Sequence, residues 1–360
     1  MEKFMQEYRR TLGNFELVDF PDESQVARIR ERLDVASPMN VRWNDWEYGS
    51  EVSELRALYE KGKDNQWNAS KDIDWSIPLT KDEFIAGPEL SLLGNVTKLM
   101  GKDEATQKAA MFDEINWVLS QLLHGEQAAL QLCGQLTNCC PTMDAKFYAA
   151  SQVADEARHV EVLAKFLQRK IGTIYPIGGT LKVLLDKLLE APTWKTKTLG
   201  MQTLFEGVAV GIFDQFQKGS TNPLVSDMIR RVKQDEARHA AFGILTMRKT
   251  VKESTEEEMA EMEDFAFNIL ETLNANQQLD MLHLLAPKYG LDPDSVIQLA
   301  LGLPEWAKIN SDLFMHTVIP NLARLGLITE RTEGKYRERG IMFGDRFGTG
   351  IDADVQASMS

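Results

Sequence analysis

A chain of 360 residues, 43% hydrophobic and 26% charged, carries enough apolar material to bury a core as one large domain or two ordinary ones, which excludes a disordered or fibrous protein. Forty Lys+Arg against fifty-four Asp+Glu leave a net charge of -14, which argues against a broad nucleic-acid footprint or a cationic membrane anchor. The opening stretch Met1 to Arg10 has no apolar leader, and no window approaches the roughly 18 uninterrupted apolar residues of a membrane span, so a soluble, cytoplasmic protein is expected. Cys133, Cys139 and Cys140 are odd in number and two are adjacent, so they form no disulfide framework and fit a reducing compartment.

Caps and breakers divide the chain into helices, and alternating β-branched runs are scarce, so the expected fold class is all-α. Residues 1–102 form a segment rich in tryptophan (Trp43, Trp46, Trp67, Trp75), with a helix over Glu51 to Lys63 and another from Lys81 to Met100. Four longer helices follow within 103–252. The first opens at Asp103 and runs to Pro141; the second has Asp144 as N-cap and stops at Gly172; the third has Thr193 as N-cap and Gly219 past its end. The fourth has Asn222 as cap, Pro223 at the first helical position, and continues to Lys252. Each spans roughly 25 to 35 residues, or about 40 to 50 Å, which is bundle length. Residues 253–328 read as packing helices, one opened by a Ser254/Glu257 capping box and one running from Asp292-Pro293 to Gly302. The stretch 329–360, rich in glycine and charge, is expected to be an extended or partly disordered tail.

The pentapeptide Asp-Glu-Ala-Arg-His occurs at Asp155 to His159 and again at Asp235 to His239, each copy preceded by a glutamate thirty residues upstream. Glu126, Glu156 and His159 therefore map onto Glu206, Glu236 and His239 with a constant offset of 80, an internal repeat of a helix pair. Residues at i and i+3 lie about 60° apart on one helix face, so Glu156 and His159 can reach one metal or two adjacent ones, as can Glu236 and His239. A hairpin with its turn midway sets Glu126 opposite Glu156 and Glu206 opposite Glu236. Four carboxylates and two imidazoles in a bundle interior demand neutralisation, because each buried charge costs several kcal/mol. Two di- or trivalent cations supply it. Oxygen-rich ligation with one nitrogen per metal and no thiolate suits iron or manganese better than copper or structural zinc.

A glutamate from each of two helices and Glu-x-x-His from each of two others is the arrangement of the ferritin-like di-iron carboxylate superfamily, which residues 103–252 resemble. The doubled Asp-Glu-x-Arg-His wording is most similar to the hydroxylases of bacterial multicomponent monooxygenases and, more loosely, to acyl-carrier-protein desaturases. The resemblance implies a ferritin-like four-helix bundle with packing helices at both ends. It implies Glu126, Glu156, His159, Glu206, Glu236 and His239 as the six ligands of two Fe ions, or of an Fe/Mn pair. Asp155 and Asp235 would then accept from the histidine N–H groups, and Arg158 and Arg238 would hold those aspartates.

Departures narrow the class. Leu163 stands where tyrosyl-radical ribonucleotide reductase subunits carry the oxidised tyrosine. Val232 stands where arylamine N-oxygenases have a seventh ligand, a histidine, and Ala209 and Val210 replace the threonine of hydroxylases and desaturases. About 100 residues on each side of the bundle suit a substrate pocket better than a storage shell. The expected function is O2-dependent hydroxylation, desaturation or N-oxygenation of a small organic substrate with an apolar portion, with O2 as co-substrate. The alternative is a ferroxidase, peroxide-scavenging or iron-handling protein without organic substrate. Substrate contacts are expected among Leu122, Leu123, Leu130, Gln152, Leu199, Gln202, Phe205 and Phe213. No Cys-x-x-Cys or Gly-x-Gly-x-x-Gly motif is present, so electrons would come from an external donor, a ferredoxin or reductase, or from the substrate itself. Neither nucleic acid nor membrane is expected as a partner, and a homodimer is left open. His124, two residues from Glu126, faces away. His283 and His316 lack partner spacing, and Cys139-Cys140 reads as apolar packing. The tryptophans read as packing over the bundle, with electron transfer as the sharper option.

Overall fold

The computed structural model describes residues 49–343 apart from 81, 82 and 84; Trp43, Trp46 and the tail beyond 343 lie outside them. Every regular element among the described residues is helical. The first helix, α1 (Ser53–Asp64), is followed by an irregular stretch, a short 3-10 turn (Pro88–Leu90) and α2 (Leu92–Leu99). The helix expected from Lys81 thus starts late. Gly87-Pro88 stops the backbone from entering the α region there, and Ser91 caps α2 by accepting from Gly94 N–H.

The longest helix, α3 (Glu104–Cys139), is opened by Asp103, which accepts from Thr106 N–H at 2.7 Å, and closed before Pro141. The next, α4 (Met143–Phe166), is capped by Thr142 rather than by Asp144. Asp144 points inward instead and accepts from Arg56 Nε at 2.7 Å, Val52 N–H at 2.8 Å and Ser50 Oγ at 3.1 Å, which ties α1 to the bundle. A π-helical turn (Leu167–Ile171) extends α4 to Gly172, whose φ of 88° ends it.

A helix not anticipated from the sequence, α5 (Gly179–Glu190), buries Leu181, Leu184, Leu185 and Leu188, a spacing that was there to be read. Then α6 (Trp194–Lys197), capped by Thr193, passes through eight π-helical residues (Thr198–Phe205) into α7 (Glu206–Gly219) without a break. In α8 (Pro223–Glu253), Asn222 Oδ1 accepts from Leu224 and Val225 N–H. The capping box of α9 (Glu256–Leu285) is Thr255 with Glu258, one residue beyond the expected pair. After these come α10 (Pro293–Leu301), α11 (Pro304–Leu325) and α12 (Glu333–Glu338). That last helix corrects the tail as far as residue 343: Tyr336 and Ile341 are fully buried and anchor the segment on α9.

The helices pair as the repeat requires: α3 lies along α4, α7 lies along α8, and α4 meets α8. Around that bundle, α1 crosses α4 and α8, α5 and α9 close over α3, and α11 packs on α7. Gly243, on α8 one turn past His239, permits a close approach of backbone to backbone. A Cβ there would stand 2.8 Å from the carbonyl carbon of Gln202, so only glycine lets the π segment sit against α8.

Candidate metal centre

The four bundle helices deliver the six predicted residues to one point in the interior, all between 0% and 5% exposed. Three carboxylate oxygens converge on His159 Nδ1: Glu236 Oε1 at 2.8 Å, Glu156 Oε2 at 3.2 Å and Glu126 Oε2 at 3.3 Å. Three also converge on His239 Nδ1, from Glu236 at 3.0 Å, Glu156 at 3.2 Å and Glu206 at 4.0 Å. Glu156 and Glu236 are thus shared between the two imidazoles, whereas Glu126 belongs to the His159 side and Glu206 to the His239 side. Atoms of Glu156, His159, Glu236 and His239 that can ligate a cation all lie within 4.8 Å of one another.

An imidazole nitrogen has one hydrogen or one lone pair, so it cannot satisfy three carboxylates. On protons alone the charges are met only by large displacements. Burial raises Glu126 and Glu206 well above the usual carboxylate range, and the charge of Glu236 adds to both shifts. Burial also opposes charge on the histidines but is overcome: Glu156 and Glu236 push His239 up to about 10, and Glu236 and Glu126 raise His159 as well. Glu236, despite its burial, is held well below its ordinary value by His239 and His159. Four buried oxygen donors and two nitrogen donors around two small spaces fit a pair of iron or manganese ions.

The other imidazole nitrogens face away from this point. His159 Nε2–H donates to Asp235 Oδ2 at 3.1 Å, and His239 Nε2–H donates to Asp155 Oδ2 at 3.3 Å. Carboxylates only accept, so both rings are held with Nδ1 turned to the centre. Arg158 Nη2 donates to Asp155 Oδ1 at 2.7 Å and to Asp235 Oδ2 at 3.2 Å, while Arg238 donates to Asp235 Oδ1. Both aspartates are depressed in pKa despite burial, through the histidine hydrogen bonds first.

Two partners were not foreseen. Trp67 Nε1–H donates to Asp235 Oδ2 at 2.7 Å, its ring stacks on His159 at 6.4 Å between centroids, and Arg158 lies over it. Gln66 Nε2–H donates to Asp155 Oδ1 at 2.9 Å. No local motif marks them, because the contact crosses 89 and 168 residues of chain.

Gln152 Nε2–H donates to Glu156 Oε1 at 2.7 Å and to Glu206 Oε1 at 3.0 Å, joining the two halves of the repeat. Gln202 instead donates to Cys133 Sγ at 3.3 Å, one layer out. Beside Glu126 and Glu206 a narrow cleft of about 60 Å³ runs towards the surface. One wall is an α3 face, Val118, Leu122, Gly125 and Ala129, with Gln121. The other is Met201 and Phe205 of the π segment with Val208, Ala209 and Ile212 of α7, and Leu181 and Leu273 close it.

Of the expected substrate contacts, Leu122 and Phe205 line this cleft; Leu123 and Phe213 are buried in one apolar cluster and Leu199 in another, and Leu130 is half-buried away from it. The missed lining of α3 repeats at three- and four-residue steps from Glu126, a face that counting would have found. Leu163 and Val232 are both fully buried among apolar side chains. His124 Nε2 meets Tyr175 O at 2.9 Å, off the centre.

A buried pair of Glu-x-x-His helices, faced by two further glutamate-bearing helices, is the arrangement of the ferritin-like di-metal carboxylate class. The chain belongs to the family described as p-aminobenzoate N-oxygenase AurF, whose sequence profile matches residues 50–321. The superfamily is therefore the one the motif implies, on its N-oxygenase branch. A comparison with curated proteins finds no match. Among solved structures, a point variant of an R2-like ligand-binding oxidase with an aerobically reconstituted Mn/Fe cofactor is 18% identical over 71% of this chain and 96% of that one, with a TM-score of 0.42. A second variant of such an oxidase, its Mn/Fe cofactor reconstituted anaerobically, is 17% identical over 79% and 95%, with a TM-score of 0.44. Among the described residues no helix is long and apolar enough to cross a membrane.

Proposed function

We propose that Glu126, Glu156, His159, Glu206, Glu236 and His239 hold two iron ions, or an Fe/Mn pair, and that the protein uses O2 to oxygenate a small organic substrate lying in the adjacent cleft. N-oxygenation of an amine is the favoured reaction, on the strength of the family; hydroxylation and desaturation are its neighbours in the same chemistry. The convergence of three carboxylates on each buried histidine Nδ1 carries the reading. When bound, the metal pair supplies the redox chemistry that O2 reduction needs. The chain's own part is to orient and to keep the site dry. Asp155 and Asp235 fix the ring tautomers, Gln152 holds Glu156 and Glu206 in register, and Glu156 and Glu236 each approach both histidine Nδ1 atoms.

Monooxygenation of an amine with one O2 consumes two further electrons and two protons, and releases water. An external reductase or ferredoxin is the proposed donor. Three free, buried cysteines accord with a cytoplasmic setting. The test is anaerobic loading with Fe(II), metal analysis, then exposure to O2 with and without arylamines. Two irons per chain and amine-accelerated O2 consumption support the proposal. O2 uptake indifferent to every organic compound, with ferric mineral accumulating, would favour iron handling instead.

A further inference from the structure

Among the described residues, the cleft beside Glu126 and Glu206 offers no positive charge to a substrate. Besides the two glutamates, its only polar lining among the described residues is Gln121, and that carboxamide is committed: its Oε1 accepts from Gly178 N–H at 2.7 Å and its Nε2 donates to Pro176 O at 3.0 Å. Arg158 and Arg238 lie behind the histidines, bound to Asp155 and Asp235. Lys197, 5% exposed, donates to the Leu188 and Leu189 carbonyls at the end of α5.

A substrate with its reacting atom at the glutamates reaches outward along Leu122 and Phe205. One aromatic ring covers about one helical turn, roughly 5.4 Å, so a group across the ring from the reacting amine sits at the level of Leu122. Val118, one turn further along α3 from Leu122, also lines the cleft. A carboxylate placed there would be stripped of water against apolar side chains, with no cation or free donor among the described lining residues to meet it. The family is described by a substrate that carries such a carboxylate.

Resting on the oxidase reading, we infer that this chain takes an uncharged, apolar amine or hydrocarbon, and that it discriminates against aminobenzoate-like anions. Recognition is by shape and apolar contact along the cleft, with the reactive atom as the single polar feature. The free volume of about 60 Å³ is below the roughly 150 Å³ of a cavity that holds benzene, so a ring displaces flexible side chains such as Met201 on binding.

The test compares 4-methylaniline with 4-aminobenzoate, a pair differing in the charge of one ring substituent. Binding to the Fe(II)-loaded protein is measured anaerobically by calorimetry, before any turnover. The expected result is at least tenfold tighter binding of 4-methylaniline, with Val118→Arg narrowing that ratio by drawing the carboxylate in. Equal or tighter binding of 4-aminobenzoate to the unaltered protein overturns the inference, and so does failure of both compounds to bind at millimolar concentration. Neither result touches the oxidase reading, which fails separately if the loaded protein consumes no O2 with any amine.

Discussion

His159 of the first repeat is fixed by Asp235 of the second, at 3.1 Å, and His239 of the second by Asp155 of the first, at 3.3 Å. The two identical pentapeptides thus complete each other, and neither half contains a finished imidazole site. Asp235→Asn is expected to weaken metal binding on the His159 side by about ten- to a hundredfold while the His239 side keeps its own aspartate. Stepwise iron titration should then show one strong equivalent per chain. Asp155→Asn should show the mirror result, distinguishable by the spectrum of the remaining iron; loss of both equivalents in either variant would contradict the crossed arrangement.

Gln152 donates to one glutamate of each repeat, and hydrogen bonds to charged groups contribute about 1.5 to 3 kcal/mol each. Gln152→Leu is expected to release Glu206, the glutamate with the longest approach to its histidine, at 4.0 Å. The second iron should bind at least tenfold more weakly, with circular dichroism unchanged. An unchanged second binding constant would show that the carboxamide only fills space.

Gly243→Ala is expected to destabilise the protein by about 1 to 3 kcal/mol, because the new methyl meets the Gln202 backbone of the π segment at 2.8 Å. Gly134→Ala, on the open side of α3 with no atom near the added Cβ, should instead stabilise by about 0.5 to 1 kcal/mol. Denaturant midpoints of the two variants check both signs.

Asp144 has a pKa below the ordinary aspartate value, because hydrogen bonds from Val52, Arg56 and Ser50 outweigh its desolvation. A depressed acid pKa stabilises the folded state above the unfolded value and loses that contribution as pH falls through the folded value. The stability difference between the unaltered protein and Asp144→Asn should therefore be full near neutral pH and shrink under acid. A difference that does not vary with pH would place the effect in packing alone.

The motif spacing was enough to nominate the six side chains, because i, i+3 geometry and a constant offset are local and periodic properties. Cap positions slipped by one or two residues where competing side chains stood side by side: Thr142 won over Asp144, whose carboxylate is claimed by Arg56, and Thr255 won over Ser254. The π-helical Thr198–Phe205 left no mark that was read, since its register depends on what α8 presents at Gly243. Substrate contacts were nominated by nearness to a ligand in sequence, and two of them, Leu123 and Leu199, point into apolar clusters rather than into the cleft. Trp67 and Gln66 were beyond reach because only tertiary folding brings the loop after α1 to the aspartates.

The reach of the loop after α1 has a practical corollary for anyone trimming this protein. A fragment cut to the repeat-bearing helices would contain every nominated ligand, yet it would leave Asp155 and Asp235 open to water where Gln66 and Trp67 now cover them. The catalytic scaffold does not begin where its repeat begins, and a minimal version must retain the helix and loop that precede it.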